Sequence, residues 1–202
     1  SNNGRYITVF NGELYNYVPL RDARIGKGEM GNGHSDSEVI PNLFQEYDIK
    51  FLDLIKGIFA IALYDTKEDK LYLFRDRLGV KPLYYHAKED YLSFGSELKA
   101  ILADERIKRI VDHQAIYDYL SLCYVPEPAT GFKDIYSLLP GHYLMYNGNK
   151  GTVEVTKYYS PLTVAKDNKT SYAEGKKELK DILANSGKLE LMSDVSSGTF
   201  LS

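Results

Sequence analysis

The chain has 202 residues, is 44% hydrophobic and carries a net charge of −3. That is enough to bury one large domain, or one domain with part of a second. The charge offers no basic surface, and no apolar run approaches the roughly 18 residues of a membrane helix, so neither nucleic acid nor membrane is an expected partner. A single cysteine excludes an internal disulfide framework, which suits the cytoplasm.

The beginning of the chain predicts a strand followed by a helix. Residues 5–10 alternate loosely between polar and apolar side chains, as in a strand. Ser35 and Glu38 have the spacing of a capping box, so a helix is expected to begin at Asp36. Pro41 would lie inside that helix and is expected to kink it.

The middle of the chain predicts a meander of strands framed by short helices. A short helix is expected near residues 51–55. After the meander, Ser96 is expected to cap a helix that ends near Ala103, and Asp112 to cap another over residues 113–121. The four strands of the meander are expected over residues 58–64, 71–75, 83–86 and 91–94.

The end of the main domain is marked by a change in composition. Residues 143–146 and 152–159 read as two strands around a turn at 147–151. Residues 160–170 are rich in Pro, Asn and Lys and poor in apolar side chains, which is typical of a linker.

The last thirty residues predict a second structural unit. Ser171 and Glu174 form another capping box, so a helix is expected over residues 172–184. Residues 189–192 and 199–201 are apolar and are expected to approach a parallel α/β sheet.

The segment VFNGELYNY, residues 9–17, carries the strongest chemical signal. Asn11 offers a side-chain amide N–H, and Gly12 lets a ligand approach its bare backbone N–H. Two such donors side by side are the ingredients of an oxyanion hole. The same Asn-Gly pair between apolar runs is also typical of a hairpin turn.

Other candidate sites favour structural roles. Arg75-Asp76-Arg77 with Lys81 could bind phosphate, but a set of ion pairs at a strand end is favoured. Residues 26–31 match GxGxxG, yet no apolar strand precedes them, so a nucleotide site is not expected.

Cys123 is expected to be a packed, inert thiol rather than a nucleophile. Ser1 lies too close to Asn11 to act as an N-terminal nucleophile. The four histidines lack metal-ligand spacing, so no protein-ligated metal is expected.

Eight further motifs follow the FNGE element in a characteristic order. They are HSDSEVI at 34–40, GIFA at 57–60, RDRLGVKPLYY at 75–85, GSELKA at 95–100, YVP at 124–126, LPGHY at 139–143, MSDV at 192–195 and GTFLS at 198–202. In this order and at this spacing, the motifs resemble the glutamine-dependent asparagine synthetases. The resemblance runs along nearly the whole chain.

The resemblance implies a fold and a division into domains. Residues 1–159 would be a class II glutamine amidotransferase domain that lacks its first segment. Its fold would be α+β, an incomplete four-layer αββα N-terminal-nucleophile hydrolase. Residues 160–170 would be a linker, and residues 171–202 the start of an α/β synthetase domain of the ATP-pyrophosphatase type. The family's cysteine nucleophile would precede Ser1, and its pyrophosphate loop would continue beyond Ser202.

The resemblance also implies the roles of four site residues. Asn11 and Gly12 match the family's oxyanion-hole residues, which are catalytic and contact the glutamine substrate. Glu13 and Asp36 match positions that help to hold the α-amino group of glutamine. For Asp36 a second interpretation is a first-turn carboxylate favoured by the helix dipole, and both roles can hold together.

For the intact protein the resemblance implies a two-step activity. It would hydrolyse glutamine to glutamate and ammonia, and use ATP and Mg²⁺ to amidate aspartate to asparagine. The 202-residue chain alone is expected to be inactive and to bind no cofactor, and a homodimer is one expected assembly. One alternative is a paralogue that amidates another carboxylate, as in O-antigen or β-lactam-type pathways. A catalytically silent binding module is the other.

Overall fold

The computed structural model describes residues 4–25, 35–164, 170–191 and 198. The strands are β1 Tyr6–Leu14, β2 Gly57–Asp65, β3 Lys70–Arg75, β4 Tyr84–Ala87, β5 Leu92–Gly95, β6 Tyr136–Ser137, β7 His142–Asn147 and β8 Thr152–Lys157. The α-helices are α1 Tyr17–Ile25, α2 Val39–Tyr47, α3 Leu98–Ile101, α4 His113–Leu122, α5 Pro161–Val164 and α6 Tyr172–Glu190, and two 3-10 helices cover Asp36–Glu38 and Asp48–Asp53.

These strands form two antiparallel sheets. The large sheet has the order β1-β2-β3-β7-β8, and the small sheet has the order β5-β4-β6. The expected meander of four strands is therefore wrong as a single unit, because β2 pairs with β3 in one sheet and β4 pairs with β5 in the other. The chain crosses between the sheets in the segment that follows β3.

Asp76 organises that crossing. Its buried carboxylate accepts backbone N–H bonds from Leu78, Val80 and Lys81 at 3.1, 3.0 and 2.9 Å. It also accepts one from Phe59 of β2 at 3.3 Å. Several N–H donors compensate for the burial of a charge, so this loop is held in one conformation against β2.

The arginines on either side of Asp76 are used inside the fold. Arg75 is buried, lies 2.7 Å from Glu127 in an ion pair, and donates to the Leu138 carbonyl at 2.6 Å. Arg77 donates to the Leu52 carbonyl at 2.9 Å. These contacts support the structural interpretation of the cluster over a phosphate site.

Two hydrophobic cores lie on opposite faces of the large sheet. One packs the sheet against α2 and the second 3-10 helix, with contributions from Leu14, Ile40, Leu43, Phe44, Phe51, Phe59, Ile61 and Phe74. The other lies between the two sheets and contains Ala60, Ala62, Leu73, Leu83, Leu138, Leu144 and Tyr146, with Tyr85 and Phe94 packed against it. Alternate residues of β2 and β3 therefore serve different cores, as the pleat of a strand requires.

A third core completes the layers. Ile101 of α3 packs with Ile107 and Ile135, and Tyr84 of the small sheet contacts this cluster. The layers thus run helix, sheet, sheet, helix, and the α+β four-layer expectation is confirmed.

An ion pair fixes the register at the start of β1. Arg5 lies 2.6 Å from the buried carboxylate of Asp65 at the end of β2. This hydrogen bond lowers the pKa of Asp65 below its ordinary value. Asp65 therefore contributes to the stability of the fold at pH values above its pKa in the unfolded chain. This contribution is lost as the pH falls through the lowered pKa that Asp65 has in the folded protein.

The first two helices differ from the predicted pattern. The helix predicted from Asp36 opens with a 3-10 turn, in which Ser35 accepts the N–H of Ser37 at 3.4 Å, and α2 begins only at Val39. Pro41 therefore lies in the first turn of α2, where its missing N–H breaks no helical bond, so the expected kink does not hold. The polar sequence of α1 did not predict a helix, and the GxGxxG segment that follows it lies outside the described residues.

The later helices confirm two caps and correct one. Asp112 accepts the N–H groups of Gln114 and Ala115 at the start of α4, as predicted. Glu97, not Ser96, is the N-cap of α3, and α3 is a single turn.

The C-terminal helix confirms its predicted start and corrects its predicted end. Ser171 and Glu174 form both bonds of the capping box. The helix α6 continues to Glu190, beyond the predicted end at residue 184. Residues 189 and 190, which were predicted to approach a sheet, are therefore helical. Residues 192 and 199–201 of that prediction lie outside the described residues. A short helix, α5, falls inside the predicted linker. No helix in the described ranges has the length and apolar content to cross a membrane.

Candidate active site

Asn11 and Gly12 lie within β1, three residues before its end, so the hairpin-turn interpretation of this pair is wrong. The strand β1 is at the edge of the large sheet as described, with β2 as its neighbour. One long edge of β1 is therefore open beside the Asn-Gly pair.

The backbone N–H of Gly12 points toward that open edge. Gly12 lies opposite Phe59 in the β1–β2 register. Phe59 uses its N–H for the Asp76 carboxylate at 3.3 Å, and its carbonyl accepts the Asp76 N–H at 2.9 Å. Because opposite residues in an antiparallel pair alternate between bonded and non-bonded positions, Gly12 is non-bonded toward β2 and presents its N–H outward.

Glycine is required at this position by the close approach of the two strands. A Cβ on Gly12 would overlap the carbonyl oxygen of Ile58 and lie 2.8 Å from Phe59 Cα. Gly57 meets the same restriction from the other strand, since its Cβ would overlap the carbonyl oxygen of Glu13. Bare backbone is thus a condition for the geometry of this edge.

The side chain of Asn11 lies on the face of β1 that is turned toward the small sheet. Ile7 and Val9, four and two residues earlier on the same face, line a cavity together with Leu92 and Phe94 of β5. The Asn11 Nδ2 donates to the Ser96 hydroxyl, just after β5, at 2.9 Å. The Asn11 amide is therefore held by a residue that follows the last strand position of β5.

Asp36 reaches the same open edge from the 3-10 helix. Its Oδ2 accepts the backbone N–H of Leu14 at 3.0 Å. Leu14 follows Gly12 by two residues, so both N–H groups point to the same side of β1. Within the described ranges, Oδ1 of Asp36 has no recorded hydrogen bond. The structure thus brings Asp36 to the edge of β1 at Leu14, two residues after Gly12.

Glu13 lies on a face of β1 and not at the edge that Asp36 reaches. It is exposed and shares a face with Asn11, two residues away. The two carboxylates therefore flank the end of β1 from different directions.

The turn after β1 is fastened by Asn16. Its Nδ2 donates to the Leu54 carbonyl at 2.9 Å, and its Oδ1 accepts the Lys56 N–H at 2.8 Å. The Tyr15 N–H adds a bond to the Lys56 carbonyl at 2.8 Å. These bonds fix the end of the strand on which the candidate site is built.

The arrangement suits a ligand with an anionic oxygen at one end and an ammonium group at the other. Two N–H donors, from Asn11 and Gly12, can stabilise developing negative charge on an oxygen. The nearby carboxylates of Asp36 and Glu13 attract a cation. No cluster of His, Cys, Asp and Glu that could hold a metal was found in the described part of the chain.

Cys123 is not the packed thiol that was expected. It is exposed and caps α4 in the left-handed conformation, with φ of 63°. The tertiary structure instead leaves the last turn of α4 at the surface.

Two contributors to the site had been assigned other roles. Ser96 was expected to cap a helix, yet its hydroxyl accepts the bond from Asn11. Asp76 was placed in a structural cluster, and its bonds to the N–H and carbonyl of Phe59 show that the pair Phe59–Gly12 is non-bonded. The sequence around Ser96, one residue before the N-cap Glu97, gives no local signal of its contact with Asn11.

Sequence comparisons point to one family. The profile of the family described as glutamine amidotransferase domain matches residues 1–159. The chain is 34% identical over 198 residues to the glutamine-hydrolysing asparagine synthetase 3 of Bacillus subtilis, an alignment that covers 98% of this chain and 32% of that protein. It is 32% identical over 201 residues to asparagine synthetase 1 of the same organism, covering 98% and 30%. An amidase, chry2 of Gibberella zeae, is 30% identical over 142 residues, or 70% of this chain and 20% of that protein. The chain thus spans about a third or less of the length of these relatives.

Comparison with solved structures supports the fold. Glutamine phosphoribosylpyrophosphate amidotransferase from Bacillus subtilis, solved with ADP and GMP, matches with a TM-score of 0.53 at 20% identity. The match covers 79% of this chain and 30% of that one. At this identity the likeness concerns the fold alone.

Proposed function

Because this chain belongs to the family of glutamine amidotransferase domains, we propose that it is the glutaminase part of a longer glutamine-dependent asparagine synthetase. The observation that carries the proposal is the pair of donors on β1. Asn11 directly precedes Gly12, whose N–H points away from β2, and Asp36 accepts the N–H of Leu14 on the same edge of β1.

The two donors act on the tetrahedral intermediate of amide hydrolysis. When a nucleophile adds to the side-chain amide of glutamine, the carbonyl oxygen takes up negative charge. Asn11 and Gly12 donate to that oxygen, and each such donor is typically worth about 3–4 kcal/mol in the transition state. We assign the nucleophile to the N-terminal cysteine implied by the family, with its own α-amino group as the base.

The carboxylates bind the other end of glutamine. Asp36 Oδ1 receives the α-ammonium group while Oδ2 stays on the Leu14 N–H. Glu13 adds negative charge from the face of β1 that also carries Asn11. In this arrangement the α-ammonium group of glutamine lies at the carboxylates while its side-chain amide carbonyl reaches Asn11 and Gly12.

The ammonia is then used by a synthetase domain. We place its start at residues 171–202, because the similarity to asparagine synthetases continues past residue 159 and covers 98% of the chain. In the complete synthetase domain, ATP and Mg²⁺ would activate aspartate for amidation. The single cysteine fits a cytoplasmic protein.

A product assay on the full-length protein tests the proposal. With glutamine, aspartate and ATP-Mg²⁺, glutamate and asparagine are expected in equal amounts, and ammonia should replace glutamine. Glutamate without asparagine would point to another carboxylate acceptor. Absence of both products would favour a silent binding module. Residues 1–202 alone are expected to release no glutamate, and Cys123→Ala should leave the full-length enzyme unchanged.

Asp36→Asn in the full-length protein is expected mainly to weaken glutamine capture. Asparagine keeps an oxygen for the Leu14 N–H but removes the charge opposite the substrate ammonium. Losing one partner of a buried charge pair typically costs about 2–5 kcal/mol. The KM for glutamine should therefore rise at least tenfold, measured by glutamate release, with ammonia-dependent synthesis unchanged. Unchanged glutamine kinetics with a lower Tm would instead assign Asp36 to the helix start alone.

A further inference from the structure

Ser96 is the residue outside β1 that touches the proposed oxyanion hole. Its hydroxyl oxygen accepts a hydrogen bond from Asn11 Nδ2 at 2.9 Å, across 85 positions of sequence. We propose that Ser96 is a positioning residue for glutamine hydrolysis, which holds the Asn11 amide where its second N–H meets the oxyanion. This inference rests on the proposed glutaminase function.

The chemistry of the amide makes such a partner useful. The Nδ2 group of Asn11 has two N–H donors. One is directed to Ser96, which leaves the other for a ligand. An exposed asparagine without a partner would sample several side-chain conformations, and some of these would turn its acceptor oxygen toward the developing charge.

The Ser96 hydroxyl is not engaged in helix capping. Glu97 is the N-cap of α3, with extended backbone angles, and no side chain caps that helix. The tertiary contact to Asn11 is thus the role that the structure gives to this hydroxyl.

The segment that carries Ser96 is itself held from both sides. Gly95 pairs with Tyr84 in the small sheet, and the Ala100 N–H donates to the Glu97 carbonyl at 3.1 Å. After this turn, Ile101 is fully buried in the third core. Because this segment is held in place, the Ser96 hydroxyl has a fixed position. The packing of the small sheet therefore orients the side chain of Asn11 in the large sheet.

The expected signature is a loss of turnover without a loss of binding. The oxyanion exists only after nucleophilic attack, so its stabilisation enters kcat rather than ground-state affinity. A whole donor is worth about 10²–10³ in kcat. Without the Ser96 hydroxyl the Asn11 donor is still present but less well oriented, so kcat should fall by less, about tenfold.

The test compares Ser96→Ala with Ser96→Thr in the full-length protein. Ser96→Ala should lower the kcat for glutamate release about tenfold, with KM, ammonia-dependent synthesis and Tm unchanged. Ser96→Thr keeps a hydroxyl and should recover most of the turnover. Ser121→Ala is the matched control, because Ser121 is exposed on α4 and donates to the Tyr117 carbonyl within its own helix. A Ser96→Ala kcat within twofold of wild type would overturn the inference, as would equal losses of both activities with a lowered Tm.

A double-mutant cycle separates this inference from the proposed function. If Ser96 acts through Asn11, then adding Ser96→Ala to Asn11→Ala should cause no further loss of kcat. Additive losses would show that Ser96 does not act through the amide. If Asn11→Ala alone leaves glutamine hydrolysis intact, the oxyanion-hole assignment itself fails, whatever the result for Ser96.

Discussion

Asn11→Ala in the full-length protein is expected to lower glutamine-dependent turnover by about a hundredfold or more. The change removes the side-chain donor of the proposed oxyanion hole and leaves the N–H of the following residue, Gly12, in place. Ammonia bypasses this site, so ammonia-dependent product formation should remain near the wild-type rate. Steady-state assays with each nitrogen source measure the two effects separately.

Asn149→Ala provides the matched control for that experiment. Asn149 also uses its side-chain amide, donating to the Glu68 carbonyl at 3.1 Å, but in an exposed turn between β7 and β8. Both activities of this variant should stay close to wild type. A parallel fall of both activities in Asn11→Ala would contradict the oxyanion role and make Asn11 a folding residue.

Gly12→Ala is expected to damage the fold as well as the chemistry. The new Cβ would overlap the Ile58 carbonyl oxygen and lie 2.8 Å from Phe59 Cα, and both obstacles are backbone atoms of β2. Relieving them requires β1 to move away from β2. Overpacking costs typically about 1–3 kcal/mol and a backbone clash should reach the upper end, or about 6–12 °C in Tm for a domain of this size. Differential scanning fluorimetry of the full-length protein should show the lowered transition, together with loss of glutamine-dependent activity.

Gly131→Ala is the control for the glycine substitution. A Cβ at Gly131 would meet no atom within 4 Å, and its φ does not lie in the left-handed region. Its Tm should stay within about 2 °C of wild type, as expected of a surface change. An unchanged Tm for Gly12→Ala would show that β1 and β2 can separate freely, and the close approach inferred for this edge would be wrong.

Local sequence signals predicted the elements that depend on local bonds. Asp112 and Ser171 were recognised as caps because a side chain bonds N–H groups two or three residues away. The strands β2, β3, β7 and β8 were located within a residue or two, since alternation and turn residues act over the same short range. The four-layer fold came from the ordered motifs of the family resemblance, which the helix–sheet–sheet–helix packing confirmed.

Long-range contacts decided what those signals could not. Ser96 looked like a cap because a serine precedes an apolar turn, but its hydroxyl lies against Asn11, 85 residues earlier. The predicted meander failed because Asp76 collects four backbone N–H bonds and carries the chain from one sheet to the other.

The sequence by itself determined which residues could form an oxyanion hole, whereas only the tertiary structure decided how they face. Asn-Gly is compatible with a hairpin turn or with a strand, and local propensity favours the turn. Pairing of β1 along the whole of β2 selects the strand. The same pairing directs the Gly12 N–H away from β2, because Phe59, which lies opposite Gly12, has its N–H and carbonyl bonded to Asp76 on the other side. Orientation is a property of pairing partners that are distant in sequence, so it cannot be read from the nine residues that carry the motif.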